Sequence, residues 1–315
     1  MDINAYLKEK RELIDSYLKS YFEIPFSTSV LHDAMKYSLF AGGKRIRPIL
    51  ALASYEACGG DSRNILPQAT ALELIHTYSL IHDDLPAMDN DELRRGKPTN
   101  HKVFGEAMAI LAGDALLTEA FHMMTSTNPS LPPLAEGGMK GLSSPDKQVV
   151  SPVLQSSVLR VIRDVALSAG ASGMVGGQAL DILSENKEPD RDIVSFIHLH
   201  KTAALITASV RMGAILADST KEKMEALTRY GENVGLAFQI IDDILDIEGT
   251  TEEIGKPAGA DRSRRKMTYP FVMGAKEARI KAEELIAAAI EALHIFSDEA
   301  VVLREIAVYL MERRA

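Results

Sequence analysis

Residues 80–96 read LIHDDLPAMDNDELRRG, and the fold of the chain depends on where this stretch places its charges. An apolar run of helical period ends here in two adjacent carboxylates, Asp83 and Asp84. Pro86 then ends the helix, because a proline lacks the backbone N–H and its ring clashes with the preceding turn. Asp89 therefore lies beyond the helix, on a segment that can fold back toward Asp83.

Two arginines, Arg94 and Arg95, follow these carboxylates. Opposite charges this close attract only weakly in water, so a solvated loop of mixed charge is one interpretation. The other is a metal–phosphate site, in which carboxylate oxygens bind Mg²⁺, the Mg²⁺ binds a diphosphate, and the arginines bind the remaining phosphate oxygens. The stretch alone favours neither interpretation.

A second acidic stretch, residues 235–247, reads GLAFQIIDDILDI and favours the metal site. Its polar residues, Gln239, Asp242, Asp243 and Asp246, form one stripe of a helix. A helix that is apolar on its other faces is buried, so the stripe faces an interior space. Carboxylates this close repel one another, and a cation is the simplest compensation. A solvent-facing stripe fits the surrounding isoleucines poorly.

Composition restricts the class of protein. The chain has 315 residues, enough for one or two domains, and 46% are hydrophobic. A net charge of −9 argues against nucleic acid as a partner. The single cysteine, Cys58, excludes an internal disulfide and fits a cytoplasmic location. We expect neither a signal peptide nor a transmembrane segment, because no basic N-terminal region and no run of about 18 apolar residues is present.

Helical periodicity dominates and no alternation typical of a sheet is present, so the sequence predicts an all-α fold. We expect helices over residues 3–20, 28–41, 67–83, 106–124, 153–170, 173–185, 190–216, 220–247, 270–292 and 298–313, and one that opens at Pro48. Residues 126–152 are rich in proline and glycine. We interpret them as a surface insertion in one domain, because the acidic stretches on either side must meet to share a metal.

Basic residues accompany both acidic stretches. Lys44, Arg45 and Arg47 lie just before a predicted helix, where the helix dipole also favours an anion. An ordinary basic turn is the alternative. His76 lies two helical turns before Asp83, on the same face and roughly 10 Å away. We therefore expect His76 to face the ligand.

Further cations lie in the second half of the chain. His198, Lys201, Thr202 and Leu205 repeat the spacing of one helical stripe, so Lys201 either snorkels to solvent or contacts a phosphate. The basic loop over residues 255–266 follows the second acidic stretch. Such a loop is usually a solvated surface run, but its position makes it a candidate lid over a polyanion.

The chain resembles the trans-isoprenyl diphosphate synthases, and closely those bacterial members that make farnesyl diphosphate. The two aspartate motifs with the arginine pair are the most specific part of the resemblance. The motifs that carry it are GGKRIRP at 42–48, DDLPAMD at 83–89, RRGKPT at 94–99, GGQ at 176–178, KT at 201–202, FQIIDDILD at 238–246 and TYP at 268–270.

The resemblance implies a single domain over residues 1–315, a bundle of ten or more helices around a deep central cavity, and a homodimer. It implies magnesium-dependent condensation of isopentenyl diphosphate with dimethylallyl or geranyl diphosphate to farnesyl diphosphate. Three Mg²⁺ ions are expected, with Mn²⁺ as a substitute. The implied metal ligands are Asp83, Asp84, Asp89, Asp242, Asp243 and Asp246.

The same resemblance assigns the remaining site residues. Arg94, Lys201 and Lys266 would bind the allylic diphosphate, and Lys256 is a further substrate-binding candidate. Lys44, Arg47, His76 and Arg95 would bind isopentenyl diphosphate. Thr202 and Gln239 would direct oxygen dipoles at the allylic cation. Tyr78 and Ser79 would limit the chain, and the bulk of Tyr78 suggests a product of fifteen carbons.

Four alternatives stay open. A geranylgeranyl diphosphate synthase would use the same chemistry in a deeper pocket. A non-catalytic synthase subunit would more often have a damaged aspartate motif, and both motifs are intact here. A His-Asp phosphohydrolase, suggested by His76 and His82, would need more histidine ligands. A terpene cyclase would more often carry an Asn/Ser/Glu triad as its second motif.

Overall fold

The computed structural model describes residues 2–23, 28–126, 152–248 and 266–312. Most of the insertion expected near 126–152 lies outside the described residues, and so does Lys256.

Helices form nearly all of the described chain, which confirms the predicted all-α class. The α-helices are α1 (Ile3–Tyr21), α2 (Ser29–Leu39), α3 (Ile46–Ala57), α4 (Leu66–Asp83), α5 (Asn100–Phe104), α6 (Glu106–Met124), α7 (Pro152–Ala169), α8 (Met174–Ser184), α9 (Arg191–Ile197), α10 (Ala204–Leu216), α11 (Lys221–Glu248), α12 (Tyr269–Met273), α13 (Ala275–Ala292) and α14 (Val301–Glu312). Single 3₁₀ segments cover Ser62–Ile65 and His294–Ala300, and a π-helical turn covers His198–Ala203. An antiparallel pair of two-residue strands, β1 (Leu93–Arg94) and β2 (Lys97–Pro98), follows α4.

Helices α4, α10 and α11 form the centre of the bundle. Helix α4 packs on α6 and α3, and α10 packs on α3 and α11. Most residues of α4 and of α10 are buried, as expected of helices that are apolar on most faces. Helices α4 and α11, which carry the two acidic stretches, both contact α10, and Asp83 and Asp242 line one interior cavity.

Three helix boundaries differ from the sequence prediction. The helix expected over 190–216 is interrupted by the π-helical turn His198–Ala203. The helix expected over 270–292 is divided at Gly274, whose φ of +86° suits glycine. Helix α3 begins at Ile46 rather than at Pro48, and its N-cap residue, Arg45, adopts a left-handed conformation.

Two segments, Glu106–Met124 and Arg191–Leu216, are long and apolar enough to cross a membrane by length and composition. One or two such segments are weak evidence for a membrane span, because buried core helices have the same length and composition. Both segments pack within the bundle, the first against α4 and the second against α3 and α11. The buried apolar residues of both segments contribute to the protein core.

A buried arginine fixes the loop before α3. The guanidinium of Arg45 donates to Asp15 Oδ1 at 2.9 Å, to Glu73 Oε1 at 2.7 Å and to the carbonyl oxygen of Leu39 at 2.8 Å. These partners lie on α1, α4 and α2. Arg45 and Glu73 are both buried, so each charge depends on the other for its stability.

Replacing Glu73 with glutamine should strongly destabilise the protein, because it leaves the Arg45 guanidinium buried with less compensation. We expect the free energy of unfolding, measured by urea denaturation, to fall by about 3 kcal/mol. The matched control is Arg63→Met at the exposed Arg63–Asp61 pair, where we expect no measurable change. Equal stability of Glu73→Gln and the unchanged protein would contradict this assignment.

Candidate active site

The central cavity has a volume of about 610 Å³ and lies between α4, α8, the π-helical turn, α11 and the segment that precedes α12. It brings together most of the residues that the sequence singled out. Those that line it are Arg47, His76, Tyr78, Ser79, Asp83, Asp89, Arg94, Arg95, Lys201, Thr202, Gln239, Asp242, Asp243 and Lys266. Lys44, Asp84 and Asp246 do not line it; Lys44 is exposed, and the two aspartates are buried.

The first aspartate motif folds back as Pro86 predicts. The backbone N–H of Asp89 donates to the carbonyl oxygen of Asp83 at 2.8 Å, so both carboxylates lie on one wall. Burial raises the pKa of Asp83, and Asp89 adds to this effect, although Lys201 opposes it. A second cation near Asp83 would therefore be stabilising.

Asp84 points away from the cavity and orients an arginine. It accepts from Arg94 Nε at 2.8 Å and from Arg94 Nη2 at 2.6 Å, both through Oδ1. Burial raises the pKa of Asp84, and the hydrogen bonds from Arg94 oppose the rise. In this arrangement Asp84 holds the guanidinium on the cavity wall. A metal-binding role for Asp84 stays a prediction.

The second aspartate motif contains a continuous hydrogen-bond chain. Thr202 Oγ1 donates to Gln239 Oε1 at 2.7 Å, and Gln239 Nε2 donates to Asp243 Oδ1 at 2.9 Å. The other oxygen of Asp243 lies 3.1 Å from the backbone N of Tyr269 and 3.2 Å from His198 Nε2. This chain orients Thr202 and Gln239, while Asp242, one residue earlier, lines the cavity.

Asp181 connects two cavity lysines, and sequence reasoning did not assign it a role. Its Oδ2 lies 2.6 Å from Lys201 Nζ and 3.9 Å from Lys266 Nζ, which also contacts Asp89 Oδ1 at 2.9 Å. Burial alone would lower the pKa of Lys201, but Asp181 and Asp83 outweigh it and raise that pKa. The sequence signal that could have indicated a role for Asp181 was its position three residues after Gln178, on the same face of the helix.

Glycines allow the helices around Lys201 to approach closely. A Cβ at Gly177 on α8 would overlap the backbone nitrogen of Lys201. A Cβ at Gly235 on α11 would lie 2.7 Å from Cα of Ala203. Both helices thus approach the backbone of the π-helical turn more closely than a side chain at these positions would permit. The π-helical turn between α8 and α11 carries both Lys201 and Thr202, and such turns are frequent at functional sites.

A cluster of cations lies on the side of the cavity near α3. Burial lowers the pKa of Arg47 and of Arg95, and each arginine is also near other guanidiniums. Burial, together with Arg47 and Arg95, lowers the pKa of His76 well below 6.5, so His76 is neutral at pH 7. Repulsion among these groups would be relieved by an anion, which favours a phosphate site over an ordinary basic turn.

The donor chemistry fits magnesium bound together with a diphosphate. Within the ranges that the structure describes, no three His, Cys, Asp or Glu side chains are grouped closely enough to hold a metal ion on their own. Asp83 and Asp89 lie on one wall of the cavity and Asp242 lies on α11. Magnesium typically binds one or two carboxylates plus substrate phosphates, which this separation permits.

Comparison with known proteins agrees with the fold. The family model described as polyprenyl synthetase matches residues 28–307. A geranylgeranyl diphosphate synthase of Cyanophora paradoxa is 45% identical over 311 residues, which is 98% of this chain and 96% of the relative. A farnesyl diphosphate synthase of Geobacillus stearothermophilus is 46% identical over 280 residues, 88% of this chain and 87% of the relative.

A solved geranyltransferase of Helicobacter pylori, complexed with magnesium and isoprenyl diphosphate, has a TM-score of 0.81. It shares 31% identity, and the match covers 99% of this chain and 97% of that chain. The fold and the site thus define a prenyltransferase that makes prenyl diphosphates. The chain belongs to the polyprenyl synthetase family.

The depressed pKa of His76 predicts a pH-dependent stability. Below pH 6.5 the unfolded chain takes up a proton at this residue and the folded protein does not, so stability decreases as the pH falls. The contribution is at most about 1.4 kcal/mol per pH unit. We expect His76→Gln to flatten the change in unfolding free energy between pH 7.5 and pH 5, measured by urea denaturation. Parallel profiles for the two proteins would contradict the neutral state of His76.

Proposed function

We propose that this protein condenses isopentenyl diphosphate with dimethylallyl and then geranyl diphosphate to give farnesyl diphosphate. The observation that carries the proposal is a single cavity with two cationic clusters. Lys201 and Lys266 lie beside the carboxylates, and Arg47 and Arg95 lie toward α3, with the neutral imidazole of His76 beside them. Two separate clusters fit two diphosphate groups, and the reaction brings two diphosphates together.

The allylic diphosphate is proposed to bind between Lys201, Lys266 and Arg94. Magnesium bound to Asp83, Asp89 and Asp242 would supply Lewis-acid stabilisation of the leaving diphosphate. We propose three ions, with Mn²⁺ as a substitute. The two lysines contact Asp181 and Asp89, so the diphosphate would replace carboxylate oxygens with phosphate oxygens at the same ammonium groups. These cations then stabilise the charge that develops as the C–O bond breaks.

The second substrate, isopentenyl diphosphate, is proposed to bind at Arg47, His76 and Arg95, with its double bond toward the allylic carbon. Its alkene attacks the allylic cation, a new C–C bond forms, and the released diphosphate takes the proton that is lost. Lys44 is a further candidate contact. Lys256 lies outside the described residues, and its role stays a prediction.

The walls of the cavity protect and stabilise the cation. The hydroxyl of Thr202 donates a hydrogen bond to Gln239, and Gln239 is itself held by Asp243. The lone pairs of the Thr202 oxygen are therefore free to face the allylic cation. Met174, Ile197 and Phe238 supply apolar lining that limits the access of water.

The fifteen-carbon product is proposed from Tyr78. An ideal helix turns Tyr78 away from the face of Asp83, yet its side chain lines the cavity beside Ser79. A bulky side chain there shortens the space for a growing chain. The second candidate is a geranylgeranyl diphosphate synthase, which several similar relatives are named. A non-catalytic subunit is less favoured, because the cavity contains carboxylates from both aspartate motifs.

We also propose a homodimer in the cytoplasm. Ile110 and Leu111 on α6 are 44% and 51% exposed, and Val103 is 46% exposed nearby in the chain. Exposed apolar side chains of this kind are covered in assemblies, and a second copy of the chain is the proposed partner.

The decisive experiment supplies isopentenyl diphosphate with dimethylallyl or geranyl diphosphate and Mg²⁺. Products are treated with phosphatase and the alcohols are separated by chromatography. We expect mainly the fifteen-carbon alcohol from either allylic substrate, and loss of product when EDTA replaces Mg²⁺. A twenty-carbon alcohol would support the second candidate, and absence of condensation would contradict the proposed function.

Substitution of Asp83 or Asp242 by alanine tests the roles of the two acidic walls. We expect kcat to fall by about 10² or more in each variant, because stabilisation of the leaving diphosphate is lost. Circular dichroism should show an intact fold. Glu92→Ala is the control, since Glu92 is exposed and contacts Lys102 instead of the cavity. Near-normal turnover of either aspartate variant would contradict the proposed metal site.

A further inference from the structure

The carbonyl group of Ile110, the imidazole of His82 and the ring of Tyr78 form a continuous series of contacts from α6 to the cavity. The Nε2 atom of His82 lies 3.0 Å from the carbonyl oxygen of Ile110 on α6. The ring of Tyr78 stands perpendicular to the His82 ring, with 5.5 Å between the ring centroids. Tyr78 and His82 both line the cavity. The imidazole therefore contacts both the backbone of α6 and the tyrosine ring.

Gly113 on α6 makes room for this imidazole. A Cβ added at Gly113 would lie 2.5 Å from Cδ2 of His82 and 3.0 Å from Cε1, well inside van der Waals contact. Glycine in the interior of a helix is destabilising relative to alanine, and the close approach of His82 is a physical reason for its presence. The hydrogen bond to Ile110 and the gap at Gly113 together determine where the ring lies.

We propose that His82 is a positioning residue for product length, which it sets by fixing the Tyr78 ring against the cavity. The proposal rests on the function proposed above and deepens it. The Nε2–H tautomer of His82 donates to Ile110, and the ring then supports Tyr78 through an edge-to-face contact, a geometry that aromatic pairs favour. His82 acts on the product only through Tyr78.

The geometry gives two substitutions opposite effects. His82→Ala removes the support, so the Tyr78 ring can turn aside and longer products should form. Gly113→Ala introduces a methyl group that displaces the imidazole from α6 toward the cavity, so shorter products should form. A general loss of stability would lower the rate of both variants without shifting their products in opposite directions.

The experiment measures the ratio of longer to shorter prenyl alcohols under the conditions described above. We expect His82→Ala to raise this ratio by about tenfold or more, since the presence or absence of a small apolar group in a pocket changes discrimination by roughly 10–200-fold. Gly113→Ala should lower it. His82→Phe keeps a ring beside Tyr78 and should return the ratio toward that of the unchanged protein. The control is His122→Ala, a mostly exposed histidine at the end of α6 that should leave the ratio unchanged.

A double-mutant cycle tests whether His82 acts through Tyr78. Tyr78→Ala should itself lengthen the product, and adding His82→Ala should cause little further change. An unchanged ratio in His82→Ala, or a full additional shift in the double variant, would overturn the inference. If Gly113→Ala does not fold, the double-mutant cycle still tests whether His82 acts through Tyr78. Absence of condensation by the unchanged protein would instead overturn the proposed function.

Discussion

Like charges held close together around one poorly solvated cavity are the constraint on which this structure depends. Burial raises the pKa of Asp83 on one side and lowers the pKa of Arg47 and Arg95 on the other. Each cluster is unfavourable without a counter-charge. Lys201 and Lys266 supply part of it for Asp83, and both lysines are in turn contacted by Asp181. A magnesium diphosphate would supply both signs together, with metal ions for the carboxylates and phosphate oxygens for the cations.

The fold keeps these charges in place through close backbone packing. Glycines on α8 and α11 let those helices approach the π-helical turn His198–Ala203, which presents Lys201 and Thr202 to the same cavity. Any side chain at Gly177 would displace the backbone of Lys201. The cations and the hydroxyl are thus positioned by the main chain, which is more rigid than a long side chain alone. This rigidity matches the requirement that stabilising groups be preorganised for the charge that develops.

Local patterns predicted much of the fold and the composition of the site. Periodicity gave the helices, and Pro86 indicated that Asp89 folds back on Asp83, because these depend on near neighbours in the sequence. The π-helical turn was missed, since its residues suit an α-helix and its contacts with α8 and α11 are not visible in the local sequence. The role of Asp181 was missed because its partner Lys201 belongs to another helix. The orientation of Asp84 away from the cavity depends in the same way on Arg94.

The two adjacent aspartates of each motif make different contacts for a geometric reason. Successive residues of an α-helix point about 100° apart, so two adjacent carboxylates cannot face one ligand equally. Asp83 lines the cavity, while Asp84 is buried against Arg94 and holds that guanidinium at the wall. In the second motif both members line the cavity, but Asp243 is engaged by Gln239, His198 and the backbone of Tyr269. One member of each pair is thus committed to orienting the groups beside it. In each pair of adjacent aspartates, one carboxylate is therefore available to the ligand, while the other fixes the groups that surround the ligand.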